Sequence, residues 1–191
     1  SRFFVFGEMV KGGGKVKIIF KSMIITLILP FTCLIDNSFS FTGIGLERVK
    51  RGEDCQRCDL SGEDLTGVDL SWVDLTGADL NGVNLKGANL KGANLNGVNL
   101  FRADLRGTDF TGANMLRVYL ERADLNGADL SRADLSQADL NGADLSQADL
   151  GQADLTEADF TGAKMKKVMG LEYATKCKTI MPWGEENSGC K

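Results

Sequence analysis

The chain has 191 residues, 43% of them hydrophobic, and its 22 Lys and Arg stand against 26 Asp and Glu, for a formal net charge of −4. This length and apolar content fit one domain of moderate size. The sequence contains no His, so it lacks the commonest general base, proton shuttle and zinc ligand, which argues against an enzyme.

Residues 1–40 are predicted to be a basic leader with a signal peptide. Residues 1–22 hold one Arg and four Lys against a single acid, and the run Met23–Ile35 is 13 residues long and apolar. The residues Asp36, Asn37, Ser38, Phe39 and Ser40 follow it, with Ser at positions 38 and 40. This order matches a secretory signal peptide, and we expect cleavage after Ser40.

Other interpretations of the apolar run are a buried core helix, a membrane anchor and a lipid anchor at Cys33. The run is shorter than the ~20 residues needed to span a bilayer. Pro30 disfavours a regular core helix, and Thr32 is larger than the residue expected before a lipidated Cys. Met9 is one candidate start of translation.

Residues 41–57 are predicted to form an N-terminal cap. A short helix is expected at Ile44–Arg51, ending at Gly52, which suits the left-handed stop of a helix. It would cover the open end of the repetitive segment that follows.

Residues 58–165 carry a repeat with a period of five. Leu, Phe or Met stands at every fifth position from Leu60 to Met165, which makes 22 consecutive repeats. A small residue lies two positions before each centre, and Asp or Asn usually lies between them. A helix has a period of 3.6 and a strand a period of 2, so a period of five indicates a chain that turns once per repeat.

The pattern within one repeat predicts a coil of four sides. The small residue and the centre are two apart and share the inner side of an extended segment, while the Asp or Asn faces outward. The remaining pair, often Ser-Gly or Asn-Gly, is typical of turns. Four sides give a 20-residue coil, and 22 repeats give about 5.5 coils stacked at about 4.8 Å.

This spacing resembles that of the pentapeptide-repeat family over about 108 residues. The resemblance implies an all-β solenoid, a right-handed quadrilateral β-helix with short helical or irregular caps at both ends. It assigns inward positions to the small residues and the centres, for example Ala78, Ala88 and Ala93 with Leu80, Leu90 and Leu95.

Residues 166–191 are predicted to form a C-terminal cap. Its apolar side chains would make a lid over the end of the solenoid: Val168, Leu171, Tyr173, Ile180, Met181 and Trp183. A cap is needed because a solenoid end exposes an unpaired edge and an apolar interior.

Four cysteines remain after removal of the leader, two at each end of the rod. Atoms of opposite ends lie too far apart to be bridged, so we expect pairs Cys55–Cys58 and Cys177–Cys190. A redox-active CxxC at the first pair is the alternative. The CxxCDLSG entry and the IMPWG…SGC exit also resemble small exported cyanobacterial members of the family, in which a helix and disulfide brackets close the rod.

The outward Asp and Asn residues have three interpretations. Residues 20 apart should stack, and from Glu53 to Met165 there are 20 acids against 9 bases. The acids can simply suit the local backbone and stay hydrated. They can mimic DNA, as family members that protect gyrase are believed to do, or they can bind divalent cations weakly.

One surface breaks the regular turn chemistry and is the candidate protein contact. Its residues are Phe101, Arg102, Leu116, Arg117, Tyr119 and Arg122. The 20-residue rule places Phe101 under Glu121 and Arg102 under Arg122. Aromatic and Arg side chains are typical of interface cores, although drift in a tolerant turn is the alternative; Trp72 is a second candidate.

Two inward positions are polar. Thr108 can satisfy its hydroxyl against the backbone, whereas Glu63 would be costly if it were buried and charged. Glu63 lies in the first coil, where the open end or the capping helix is within reach.

These features predict a non-enzymatic exported module with a structural or protein-binding role. We expect no cofactor, no metal site, no direct nucleic-acid binding and no membrane span after signal cleavage. A monomer with an unidentified protein partner is expected. If the source is a cyanobacterium, the location would be the periplasm or the thylakoid lumen.

Overall fold

The structure is a computed structural model that describes residues 10–12, 15–17 and 42–190. The chain divides into two units, Ser1–Ser38 and Phe39–Lys191. In the first, β1 (Val10–Gly12) and β2 (Lys15–Lys17) form an antiparallel pair. The apolar run of the predicted signal peptide and its expected cleavage site lie outside the described residues.

Helix α1 spans Thr42–Lys50, close to the helix predicted from the sequence. Val49 is buried against the first coil and Leu46 is half-buried. Gly52 ends the helix in the left-handed conformation, with φ 70° and an N–H that donates to the Val49 carbonyl at 2.9 Å. Arg48 and Lys50 lie in the last turn, where cations suit the helix dipole.

Parallel bridges between residues 20 apart build the rest of the second unit. They run from Asp59–Asp79 to Asp149–Met169 in unbroken steps of five residues. Four five-residue repeats therefore separate bridged residues, and the repetitive segment is an all-β solenoid.

Every backbone amide of a regular repeat has an acceptor. In residues 123–127 the Ala123 amide donates to the Leu120 carbonyl across the corner, and the Asp124 amide donates to a carbonyl of the preceding coil. The amides of Leu125 and Gly127 donate to carbonyls of the following coil, and all four distances are 2.7–3.0 Å. The fifth, on Asn126, donates to the Asp124 carboxylate at 3.1 Å. Because unpaired buried amides are costly, this complete pairing explains why the five-residue period is kept so strictly.

The interior is filled by the predicted inward residues. The centres from Leu60 to Phe160 are fully buried, and Phe110 and Phe160 are the largest of these side chains. Small inward residues from Val73 to Ala163 are buried beside them. Thr108 is also fully buried, and its hydroxyl donates to the Leu85 carbonyl at 2.8 Å, which confirms the expectation for this position.

The bridges continue beyond the last regular repeat with a shift of one residue. After a short 3-10 turn, Leu171–Tyr173, Asp154 pairs with Thr175 and Asp159 with Ile180. Strands β3 (Thr179–Met181) and β4 (Gly184–Glu186) then form an antiparallel hairpin. One extra residue in the turn accounts for the shift.

The predicted apolar lid is correct only in part. Met181 is buried, and Val168 and Leu171 are half-buried against the core. Tyr173, Ile180 and Trp183 are exposed instead. The alternation of side chains along β3 explains Ile180, because Thr179 and Met181 on either side of it point inward.

Lys176 closes the C-terminal end of the interior. The shifted register aligns it with Leu155 one coil earlier, and it is only 7% exposed. Its ammonium donates to the Leu171 carbonyl at 2.7 Å and lies 3.9 Å from the Glu186 carboxylate. A charged side chain therefore occupies a position that Leu holds elsewhere, with its charge compensated by these two groups.

Glu63 is half-buried, as are Cys58 and Val68 at neighbouring inward positions of the first coil. The first coil is therefore more open than the later ones, which relieves the cost of a charge at Glu63. Within the described residues, none of the helices has the length and apolar character to cross a membrane.

Candidate protein-contact site

The outward Asp and Asn residues have a local structural role. At 20 of the 21 outward positions between Asp59 and Asp159, the side-chain Oδ1 accepts the amide two residues later at 2.8–3.3 Å. This is the Asx turn, which only Asp or Asn can form with this geometry. The acidity of the rod therefore follows first from its corners.

Hydroxyl groups at several corners strengthen the same interaction. The Ser61 hydroxyl donates to Asp59 and the Thr66 hydroxyl to Asp64, each at 2.6 Å. Side-chain donation, followed by the backbone amide, lowers the pKa of both carboxyls because it favours the charged form. These acids stay ionised through contacts within their own repeat.

The arrangement does not favour a cation site. In residues 45–190, whose side chains are described, the acidic groups nowhere come together in threes that could hold a metal ion. Some of the outward Asp side chains also accept a hydrogen bond from the Asn one coil later. Asn89 donates to Asp69 and Asn99 to Asp79, each at 3.0 Å.

Tyr119 is the exception among the 21 outward positions. It has no side-chain acceptor for the amide of Glu121, so this corner lacks the Asx turn. Its bridges to Asn99 and Asp139 are otherwise regular, and 51% of the residue is exposed. Tyr119 therefore gives up a contact that every comparable position makes.

The six predicted contact residues surround one face, which we call the Tyr119 face. Bridges align Asn99, Tyr119 and Asp139 along it. On one corner the Arg102 amide donates to the Glu121 carbonyl at 3.1 Å, which stacks the two corner pairs as expected. The opposite corner carries Leu116 and Arg117. Phe101 and Leu116 are half-buried, and the three arginines are exposed.

Two of the three arginines of the Tyr119 face contact aromatic or amide groups within the described residues. The Arg102 guanidinium lies 4.9 Å from the centre of the Phe101 ring, within the range of a cation–π contact. The Arg117 Nε donates to the Gln137 side chain at 2.7 Å. In residues 45–190, Arg102, Arg117 and Arg122 lie in no ion pair.

Arg117 begins a chain of side chains along its corner. The Gln137 side-chain amide in turn donates to the Glu157 carboxylate at 2.9 Å, and the Lys178 ammonium lies 3.5 Å from the same carboxylate. The Gln137 amide, and after it the Lys178 ammonium, lower the pKa of Glu157. This chain holds Arg117 at the edge of the face.

Glu121 lies within the same face and is half-buried. Its Oε2 atom is buried and has no hydrogen-bond partner among the described groups. An unsatisfied carboxylate oxygen is costly, and it lies at the corner that also lacks the Asx turn.

Trp72 lies outside the Tyr119 face. It adopts the left-handed conformation with φ 63° and is 73% exposed, but its ring covers the backbone of Gly92, so that a Cβ there would come within 2.4 Å of ring carbons. The 20-residue rule, applied to corner residues, would have identified this pairing, because 92 is 72 plus one coil.

The cysteines are joined at each end of the second unit. Cys55 and Cys58 are bonded with Cα atoms 5.5 Å apart, and Cys177 and Cys190 with Cα atoms 4.7 Å apart. The first pair occupies inward positions, and Gly45 of α1 packs on it so closely that a Cβ would lie 3.3 Å from Cys58. The first disulfide thus lies where α1 packs on the solenoid, and the second lies beyond the last regular repeat.

Comparison with known proteins agrees with this architecture. The sequence profile of the family described as Pentapeptide repeats matches 8 copies, in residues 54–92, 78–117, 113–152 and 133–168. No curated protein sequence matches the chain.

Several solved structures are similar to it. A pentapeptide repeat protein from the Arabidopsis thaliana thylakoid lumen is 31% identical, over 60% of this chain and 66% of the other, with a TM-score of 0.42. QnrB1, a plasmid-mediated fluoroquinolone resistance protein, is 23% identical over 61% and 67%, with a TM-score of 0.38. HetL, involved in heterocyst differentiation regulation in the cyanobacterium Nostoc sp. strain PCC 7120, is 25% identical over 73% and 96%, with a TM-score of 0.24.

The chain thus spans just under two thirds of the Arabidopsis protein's length. The profile covers more than half of this chain and coincides with the bridged repeats. The resemblance inferred from the sequence is therefore confirmed, and the chain belongs to the pentapeptide repeat family.

Proposed function

We propose that this protein is a non-catalytic protein-interaction module whose contact surface is the Tyr119 face. The observation that carries the proposal is the loss of the Asx turn at Tyr119, within a column where every other outward residue from Asp59 to Asp159 keeps it. A half-exposed Tyr at that position has no role in the backbone pattern. Tyr and Arg are the residues most enriched where protein contacts are energetically important.

The family and the composition support a non-enzymatic role. Pentapeptide repeat proteins are generally structural or interaction proteins. The sequence has no His, and the outward carboxylates are occupied by hydrogen bonds to their own corners.

The finer architecture is also part of the proposal. We take the solenoid to be a right-handed quadrilateral β-helix of about 5.5 coils in residues 58–165. Residues 41–57 and 166–191 would be its caps, and residues 1–40 a leader and signal peptide. Export to the periplasm or thylakoid lumen is supported by the leader pattern and by the two disulfides, which persist in oxidising compartments.

Photo-crosslinking from position 119 tests the contact surface. A photoreactive phenylalanine analogue in place of Tyr119 should yield a discrete crosslinked protein in cells of the source organism. The matched control is the same analogue at Met169, which is also outward, exposed and without an Asx oxygen, but which the four-repeat coil places on the opposite side. Equal products from both positions, or none from position 119, would contradict the proposal.

Cell fractionation tests the export proposal. The mature protein should begin near residue 41 and copurify with the periplasm or the lumen. Recovery of the uncleaved chain in the cytoplasm would refute export.

An acidic DNA mimic that binds a DNA-processing enzyme such as gyrase is the second candidate. The excess of acids in residues 53–165 and the stacked Asp columns favour it. The arginines of the Tyr119 face interrupt the negative surface and argue against it. Inhibition of DNA supercoiling by the purified protein, undiminished by loss of Tyr119, would support this candidate over the first.

A further inference from the structure

Charges on the Tyr119 face are arranged in blocks along the rod. Towards the N-terminal end the outward column carries Asp59 and Asp79, and towards the C-terminal end it carries Asp139 and Asp159. Between these acidic blocks the column holds the neutral residues Asn99 and Tyr119.

The middle block is positive. Arg102 and Arg122 stack on one corner, and Arg117 lies on the other. Glu121 contributes one negative charge to the block, so its net charge remains positive.

The N-terminal block has a net charge of −1, because Arg57 lies over Gly77 beside its two acids. The C-terminal block has a net charge of −2, because Glu157 and Lys178 offset each other. The charge along the face is therefore negative, positive and negative in turn.

From this pattern we propose that the face binds an extended protein segment with the complementary order: basic residues at both ends and acidic residues around an apolar one in the middle. The inference rests on the proposed function, and it adds the chemistry of the partner. Carboxylates of the segment would meet the guanidinium groups, and its apolar residue would lie on Tyr119 and Phe101. Opposed charge patterns fix the register of such a contact and disfavour wrong partners.

The length of the pattern sets the length of the segment. Asp79 and Asp159 are four coils apart in the bridged column, which is about 19 Å at about 4.8 Å per coil. An extended chain covers this in about six residues. A short strand lying along the rod therefore suffices to meet all three blocks.

The same pattern disfavours a nucleic acid. Phosphates repeat uniformly along a strand, so a strand long enough to cover the arginines would also face Asp79, Asp139 and Asp159. Repulsion at both ends would offset the attraction in the middle.

Two peptides with the same composition test the proposal on the purified protein. One carries two Lys, then Glu-Val-Glu, then two Lys; the other carries Glu, two Lys, Val, two Lys and Glu. At low ionic strength we expect the first to bind at least about tenfold tighter by fluorescence anisotropy, with most of the preference lost as salt screens the charges.

Variants assign the preference to the arginines. The variant Arg122→Glu, which changes the net charge by the same amount as its control, should remove most of the preference between the two peptides. Arg132→Glu is the matched control, because Arg132 is also exposed and left-handed, with φ 60°, but lies at a different corner; it should keep the preference.

Equal affinity of the two peptides, no binding by either at millimolar concentration, or the same loss in the Arg132→Glu control would overturn the charge-pattern proposal. So would tighter binding of a single-stranded oligonucleotide than of the first peptide. If any of these occurs while position 119 still crosslinks a protein, the partner chemistry is wrong and the proposed function stands. If position 119 crosslinks nothing, the proposed function itself fails.

Discussion

The regular acidic columns and the Tyr119 face are built on the same backbone but obey different rules. In the columns each Asp or Asn accepts the amide two residues later, so the identity of the outward residue follows from the corner it supports. At Tyr119 that contact is absent, and in residues 45–190 the arginines of the Tyr119 face form no ion pair and a buried Glu121 oxygen has no donor. Regularity therefore marks residues that maintain the rod, and departures from it mark candidates for binding.

The largest expected difference in stability is between substitutions of two phenylalanines. Phe110 fills the interior and is fully buried, whereas Phe101 is half-buried on the Tyr119 face. Phe110→Ala should lower the free energy of unfolding by about 3–5 kcal/mol, through lost burial and the cavity left behind. Phe101→Ala should cost about 1 kcal/mol or less but reduce crosslinking from position 119. Denaturant titration of both variants measures the two losses of unfolding free energy. Similar losses would contradict the distinction between interior residues and residues of the Tyr119 face.

The two disulfides should support the frame unequally and leave the contact face intact. Cys177 and Cys190 are 13 residues apart in sequence, whereas Cys55 and Cys58 are 3 apart. Loop-closure entropy predicts losses of about 3 and about 2 kcal/mol when each pair is replaced by Ala.

Denaturant titration measures both losses, with oxidised wild-type protein as the control. Peptide binding at the Tyr119 face should stay unchanged in both variants. Loss of that binding in either one would show that the face depends on the caps.

A smaller difference in stability is expected between the variants Asp129→Ala and Tyr119→Ala. The first removes the acceptor of the Ser131 amide, a 2.9 Å hydrogen bond, and should destabilise the protein by about 1 kcal/mol. The second removes no such acceptor and should change stability by less. Equal losses in thermal or denaturant unfolding would mean that Tyr119 is a structural residue after all.

The smallest effect concerns acid stability. Hydroxyl and amide donors lower the folded-state pKa of Asp64, so its contribution to stability is present above the unfolded value of about 3.9 and is lost as pH falls through the folded value. Thr66→Val should raise the pKa of Asp64 towards its ordinary value, as measured by NMR titration. Asp159, whose pKa is also lowered and which lies several coils away from the substitution, serves as the control and should keep its lowered pKa.

Much of the frame follows from the sequence because its cause is local. A five-residue period fixes which residues point inward, and the 20-residue stacking rule predicts that Phe101 lies beside Glu121, as the Arg102–Glu121 hydrogen bond shows. Thr108 follows for the same reason, since its inward hydroxyl lies within reach of a backbone carbonyl of the preceding coil, that of Leu85.

Other features depend on contacts that periodicity does not encode. The one-residue shift at Leu171–Tyr173 breaks the rule at the C-terminal end, so the burial of Lys176 and the exposure of Trp183 could not be predicted from it. That the three arginines of the Tyr119 face form no ion pair in residues 45–190, although Glu121 is adjacent to Arg122 in sequence, likewise depends on side-chain directions. That the Trp72 side chain covers Gly92 follows from the 20-residue rule, whereas the direction in which its ring turns over the next coil depends on the left-handed backbone at position 72.

The substitution Tyr119→Asn tests most directly whether this position is kept for binding. Asn99, one coil earlier, already makes the Asx turn with Phe101 at 3.1 Å, so Asn at position 119 should restore the missing acceptor for Glu121. We expect the free energy of unfolding to rise by about 0.5–1 kcal/mol, while binding of the basic–acidic–basic peptide falls about tenfold or more. A variant that is less stable than the wild type and binds the peptide equally well would contradict the central claim.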